Sequence, residues 1–266
     1  MHHLPSLREG DIALGDSLVI EALQLVAILG AMAIMAWIEG RNVWSYYGLA
    51  GRRPAAKVLF GLGGGLVCLS LVVGTLSAGG YLVFDGRALQ GLAALGYGSA
   101  WLLDFMIVGI REEALFRGYL QATLTRGIGF WPAAILLSFL FGAGHLPNAG
   151  ESVTGIIGVM VHALFYCLLL RLSGSLWLGI GFHAAWDWAQ SYLYGTPQSG
   201  HLMQGHLLMT HARGDALMSG GSAGPEGSLL GLPAQAIGLV VFLWAVKRAG
   251  LFVRGLSRIR AVGTES

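Results

Sequence analysis

Seven stretches of roughly 20 mostly apolar residues recur along this chain, near 18–38, 58–78, 91–111, 130–146, 153–172, 175–195 and 228–246. About 20 residues is what a helix needs to cross ~30 Å of hydrocarbon, where every backbone polar group must be satisfied within the protein. The pattern predicts an all-α, polytopic transmembrane helical bundle of about seven spans. Composition agrees: 55% of the 266 residues are hydrophobic, 11% are charged, and the mean hydropathy is +0.66, far from a soluble globular balance. The run at 130–146 is short and ends in Gly142, Gly144 and Pro147, so it is expected to be tilted, broken or partly re-entrant. Residues 112–126 are expected to continue the third helix along the membrane surface.

Alternating the flanks of these spans puts Arg41, Arg52, Arg53, Lys57, Arg111, Arg117, Arg126, Arg171, Lys247, Arg248, Arg254, Arg258 and Arg260 on one side and Arg8, Arg87 and Arg213 on the other. By the excess of basic residues in cytoplasmic flanks, the N-terminus is outside, the C-terminus is cytoplasmic and the Glu112 region lies at the cytoplasmic face. The first apolar run lacks a basic lead and a small-residue cleavage site, so it reads as a retained helix. The organisation expected is residues 1–90, N-terminal helices and a basic loop; 91–195, the core; 196–227, a Gly/Ser-rich extracytoplasmic loop, flexible and solvated; and 228–266, the last helix and a basic tail. A net charge of +2 without a dense basic run excludes nucleic acid as partner. Cys68 and Cys167, each inside an apolar run, read as core residues, and Gly61 and Gly65 have the spacing that lets membrane helices approach closely.

Charge inside such a chain needs a reason, because Asp, Lys or Arg at the centre of a membrane helix costs about 2.5–3.5 kcal/mol. The sequence Glu112-Glu113-Ala114-Leu115-Phe116-Arg117 stands where the third run ends. Glu113 and Arg117, four apart, share a helix face in the favourable acid-first order, which leaves Glu112, turned about 100° away, free to point into the bundle. Taken alone, this motif reads equally well as an interfacial salt bridge. His145 follows Phe141 by four residues, and His183 precedes Asp187 by four, near enough for the acid to accept an imidazole N–H and hold one tautomer. His162 reads as a helix-to-helix hydrogen bond.

The order EExxxR, FxxxH, HxxxD, carried by Glu112-Glu113 to Arg117, Phe141 to His145 and His183 to Asp187, resembles the CPBP intramembrane proteases, which include the type II CAAX prenyl endopeptidases and bacterial Abi proteins. The resemblance covers roughly 90–195. It implies hydrolysis of a peptide bond in a membrane cavity opening toward the cytoplasmic side, with Glu112 as general base, His145 as its partner on the water, His183 as oxyanion donor, and Asp187 acting through His183. Glu113 and Arg117 give structural support. No cofactor is expected to be required. The alternative is Zn2+ held by Glu112, His145 and His183, since two histidines and a carboxylate form a known catalytic zinc set.

The partners implied are the lipid bilayer and a membrane-associated peptide or protein substrate, in a multi-pass protein of the cell membrane. The alanine- and glycine-rich chain looks bacterial. Two other readings stand beside proteolysis: a catalytically silent peptide-binding immunity or scaffold protein, and a proton-coupled transporter relaying through Asp104, Glu112, His145, His183 and Asp187. A rhomboid-type serine protease is disfavoured because Ser173-Gly174-Ser175 lacks the GxSG arrangement, and no HExxH zincin motif occurs.

Overall fold

A computed structural model describes residues 11–148 and 150–253; Arg8, Arg254, Arg258 and Arg260, used in the orientation argument, lie outside them. The helices are α1 (Leu14–Ile38), α2 (Val43–Tyr46), α3 (Pro54–Ala78), α4 (Gly91–Glu113), α5 (Gln121–Ile128), α6 (Phe130–Ala143), α7 (Val153–Ser173), α8 (Trp177–Trp188), α9 (Ala216–Ser219) and α10 (Gly231–Arg248). Two strands, β1 (Leu82–Arg87) and β2 (Leu208–Ala212), pair antiparallel. Each apolar run of the sequence becomes a helix. Among the described residues four helical stretches are long and apolar enough to cross a membrane: Leu14–Ile38, Pro54–Ala78, Gly91–Ile128 and Val153–Ser173. Their boundaries follow local chemistry. The Asn42 side chain accepts from the Trp44 and Ser45 N–H groups to start α2, Pro54 opens α3, Ser152 caps α7, and Gly174 at φ 63° ends it.

The third helix continues past residue 112, as expected: it passes through a π-helical stretch, Ala114–Leu120, into α5 without a break, so Gly91–Ile128 forms one 38-residue helical stretch. Glu112 is therefore near its middle. Arg111 and Arg117, counted above as flanking charges, are inside the bundle with side chains 16% and 2% exposed.

Contacts define the two ends of the bundle. At one, Arg126 meets Glu39, Arg171 lies over Phe130, Lys57 Nζ donates to the Ser173 carbonyl at 2.9 Å, and Val253 N donates to Leu172 O. At the other, Ile12 bonds Leu202, Tyr192 Oη bonds Ala94 O, and Ser222 bonds Gly150 O. Residues 196–227, expected as a flexible solvated loop, cover this second end instead: β2 pairs with β1, and Ser219, Ala223 and Glu226 are buried. The reason is that this segment satisfies its polar groups against the helix ends, as where Gln190 Nε2 donates to Pro197 O at 2.7 Å.

The core runs between α3, α7, α8 and α10 and includes Cys68, Leu69, Phe165, Phe182 and Phe242. Cys68 and Cys167 are buried, unpaired thiols, as expected. Gly61 and Gly65 are where α3 touches α8: a Cβ on either would fall 2.4 Å from Leu178 O or 2.2 Å from Phe182 O.

Candidate active site

Four of the expected residues, Glu112, His145, His183 and Asp187, line a single cavity of about 330 Å3. α4 supplies Glu112, the turn after α6 supplies His145, and α8 supplies His183 and Asp187. Close packing brings two of these helices together at Gly109, whose absent Cβ would sit 3.2 Å from Ile180 O. π-helical stretches follow directly on both acid-bearing helices, Ala114–Leu120 after Glu113 and Ala189–Leu193 after α8, as they often do near functional sites.

His183 is the hub. Its Nδ1 faces Glu113 Oε1 at 3.2 Å, and its Nε2 faces Asp187 Oδ2 at 3.4 Å and Glu112 Oε2 at 3.7 Å. Tyr166 stacks on the ring, centroids 5.0 Å apart. The pairing of Glu113 with Arg117 is present at 3.1 Å, with the guanidinium 4.7 Å from the Phe141 ring centroid; both charges are buried behind the cavity wall. Glu113 thus does two jobs where the sequence suggested one. Glu112 is not free either: Arg111 Nη2 holds its Oε1 at 2.8 Å, and Arg111 Nε in turn meets Glu21 Oε2 of α1 at 2.5 Å.

His145 Nδ1 is 2.8 Å from the Phe141 carbonyl. A carbonyl only accepts, so Nδ1 carries the proton and, in the neutral ring, Nε2 is left as an acceptor. That bond, with the tilted ring contact at 5.1 Å, accounts for the four-residue spacing of Phe141 and His145. His162 joins α7 to α10 through the Gln235 amide at 3.2 Å, as its sequence setting suggested.

The cavity does not reach the basic end. Its lining includes Ile12, Asn148, Gln198, Ser199, His201, Met203 and Glu226, at the end carrying β1 and β2. Because the helix bearing Glu112 runs on to Ile128, the acid is not at that helix's basic terminus. A strap across this end is pinned at Ser199, which has φ 44°: Glu226 Oε1 accepts from Ser199 N–H at 2.7 Å and from its hydroxyl at 3.0 Å, and Asn148 donates to Ser199 O at 3.0 Å. Burial pushes the Glu226 carboxyl up to about 8, aided by the charges of Glu151 and Asp187.

Sequence reasoning missed Ser17, Glu21, Arg111, Tyr166, Ser199 and Glu226. Glu21 had a signal, an acid inside the first apolar run; Glu226 had none. The donors do not fit a metal ion. Among the described residues no three His, Cys, Asp or Glu side chains gather as a ligand set, and the Arg111 guanidinium already occupies Glu112.

Fold and site together define a helical membrane protein with an acid and imidazole centre in a cavity between its helices. Residues 95–189, just over a third of the chain, match the family described as type II CAAX prenyl endopeptidase Rce1-like, so this core is similar to the CPBP/CAAX proteases. No curated protein and no solved structure matches it significantly.

Proposed function

We propose that the protein is an intramembrane endopeptidase that hydrolyses a peptide bond of a membrane-associated substrate, with chemistry of the CAAX-processing type. The observation that carries this is the convergence of Glu112, His145, His183 and Asp187 on one cavity from three separated stretches of sequence. Glu112 takes a proton from a water molecule as its oxygen bonds the substrate carbonyl carbon, and returns it to the amine that leaves when the C–N bond breaks, while His145 Nε2 accepts the water's other hydrogen and orients its lone pair toward that carbonyl. The His183 Nε2–H has only long contacts, 3.4 and 3.7 Å, and swings to the oxyanion as charge develops there. Asp187 and Glu113 hold the imidazole from either side and favour its charged form, while Arg117 fixes Glu113. Water activation is metal-independent. The basic end of the bundle is cytoplasmic, so the cavity faces the outer half of the membrane.

Purified full-length protein in lipid vesicles should cleave a membrane peptide, and Glu112→Ala should lower the rate by about 10²- to 10⁴-fold, the usual contribution of a general base, while inserting normally. Unchanged cleavage would remove Glu112 from the mechanism. Activity should survive exhaustive chelation; loss restored by zinc would replace the metal-independent scheme.

A further inference from the structure

Building on the proteolytic reading and resting on it, we propose that the cavity selects a peptide bearing a positively charged side chain, received by Asp104 about three to four residues from the bond cleaved. Five carboxyl side chains line the cavity, Glu21, Asp104, Glu112, Asp187 and Glu226, against one arginine, Arg111. Glu226, raised to about 8, adds no charge at neutral pH, and Arg111 with the charged form of His183 offsets two of the other four acids, so the lining still has negative charge to spare, and a cation is the complementary ligand.

Asp104 is the acid with an open valence. It is 1% exposed; its Oδ2 accepts the Ser17 hydroxyl at 2.9 Å, whereas its Oδ1 has no hydrogen-bond partner among the described residues. A buried acceptor without a donor is unfavourable, and a donor arriving on a ligand satisfies it. Phe105 and Val108 line the cavity beside it and offer apolar surface to the methylene stem of a lysine.

The spacing follows from helix geometry. Asp104 precedes Glu112 by eight residues on α4, about 12 Å along the axis at 1.5 Å per residue. An extended peptide covers that distance in roughly three to four residues at about 3.3 Å each. Asp104 is also on the side of Glu112 nearer the strap, so the charged residue enters on the cavity-mouth side of the scissile bond.

The test uses the full chain in neutral lipid vesicles and a set of apolar peptides in which one Lys, Gln or Glu is stepped along the sequence. Cleavage is measured with the unaltered protein, and binding of the same peptides with Glu112→Gln. Lys three to four residues from the cut should be preferred over Gln by at least about tenfold, the worth of one charge-assisted hydrogen bond, with Glu worst. Asp104→Asn should shrink the Lys-to-Gln ratio to within about twofold. Equal binding of the three peptides, binding of none, or a Lys preference untouched by Asp104→Asn would overturn the proposal. Cleavage without preference defeats this inference alone, whereas preferential binding without cleavage by the unaltered protein defeats the proteolytic reading alone.

Discussion

Glu112 and Glu113 are neighbours in sequence but occupy different electrostatic environments. Glu113 is 1% exposed and shared between the guanidinium of Arg117 and the imidazole of His183; Glu112 faces the cavity and keeps Arg111 as companion. Removing one partner of a buried pair leaves the other charge uncompensated, at about 3–5 kcal/mol, and the aromatic rings around Arg117 return only about 0.5–2 kcal/mol. Glu113→Gln should therefore lower thermal stability in detergent markedly, whereas Glu112→Gln, with Arg111 still held by Glu21, should melt near the unaltered protein. Equal melting of the two variants would show that the pair is not what secures this wall. The motif acids and histidines were legible because ionisable groups stand out in an apolar chain. The second duty of Glu113 was not, since helical spacing reports partners along one helix and says nothing of a ring arriving from α8, 70 residues later.

At the scale of elements, hydropathy located the seven long apolar helices α1, α3, α4, α6, α7, α8 and α10, and glycine spacing marked the close approach of α3 to its neighbour. What it left out were features without a hydropathic signature: the π-helical continuation of α4 and the folding of residues 196–227 over one end. Gly65 tests the packing. A Cβ there falls 2.2 Å from Phe182 O, while one at Gly74 of the same helix meets nothing within 4 Å. Gly65→Ala should cost about 1–3 kcal/mol by overpacking, measured by thermal melting, and should reduce cleavage because α8 carries His183; Gly74→Ala should do neither. Similar behaviour of the two variants would disprove close α3–α8 contact.

For the molecule as a whole, basic side chains and cavity lie at opposite ends. Arg52 and Arg53 are exposed at one, while Ser222 is exposed at the other near the strap. In the orientation proposed above, with the basic end cytoplasmic, a membrane-impermeant thiol reagent applied to intact cells should label Ser222→Cys and spare Arg52→Cys, Cys68 and Cys167 being buried in the core. The reverse pattern would turn the protein over and bring the cavity to the cytoplasm. Sequence alone took the third apolar run to stop at Glu112; the helix continues for 15 residues beyond Glu113, to Ile128, which puts the acid near the middle of that helical stretch rather than at its end.

That continuation has its own corollary. In Ala114–Leu120 the backbone bonds reach one residue further than in an α-helix, so the rod stores a surplus residue between its two halves. Winding the same residues as plain α-helix would rotate everything beyond by roughly 100°, swinging Arg126 off Glu39. The surplus works as a phase shifter: it lets one uninterrupted helix aim acids at α8 in its first half and an arginine at α1 in its second.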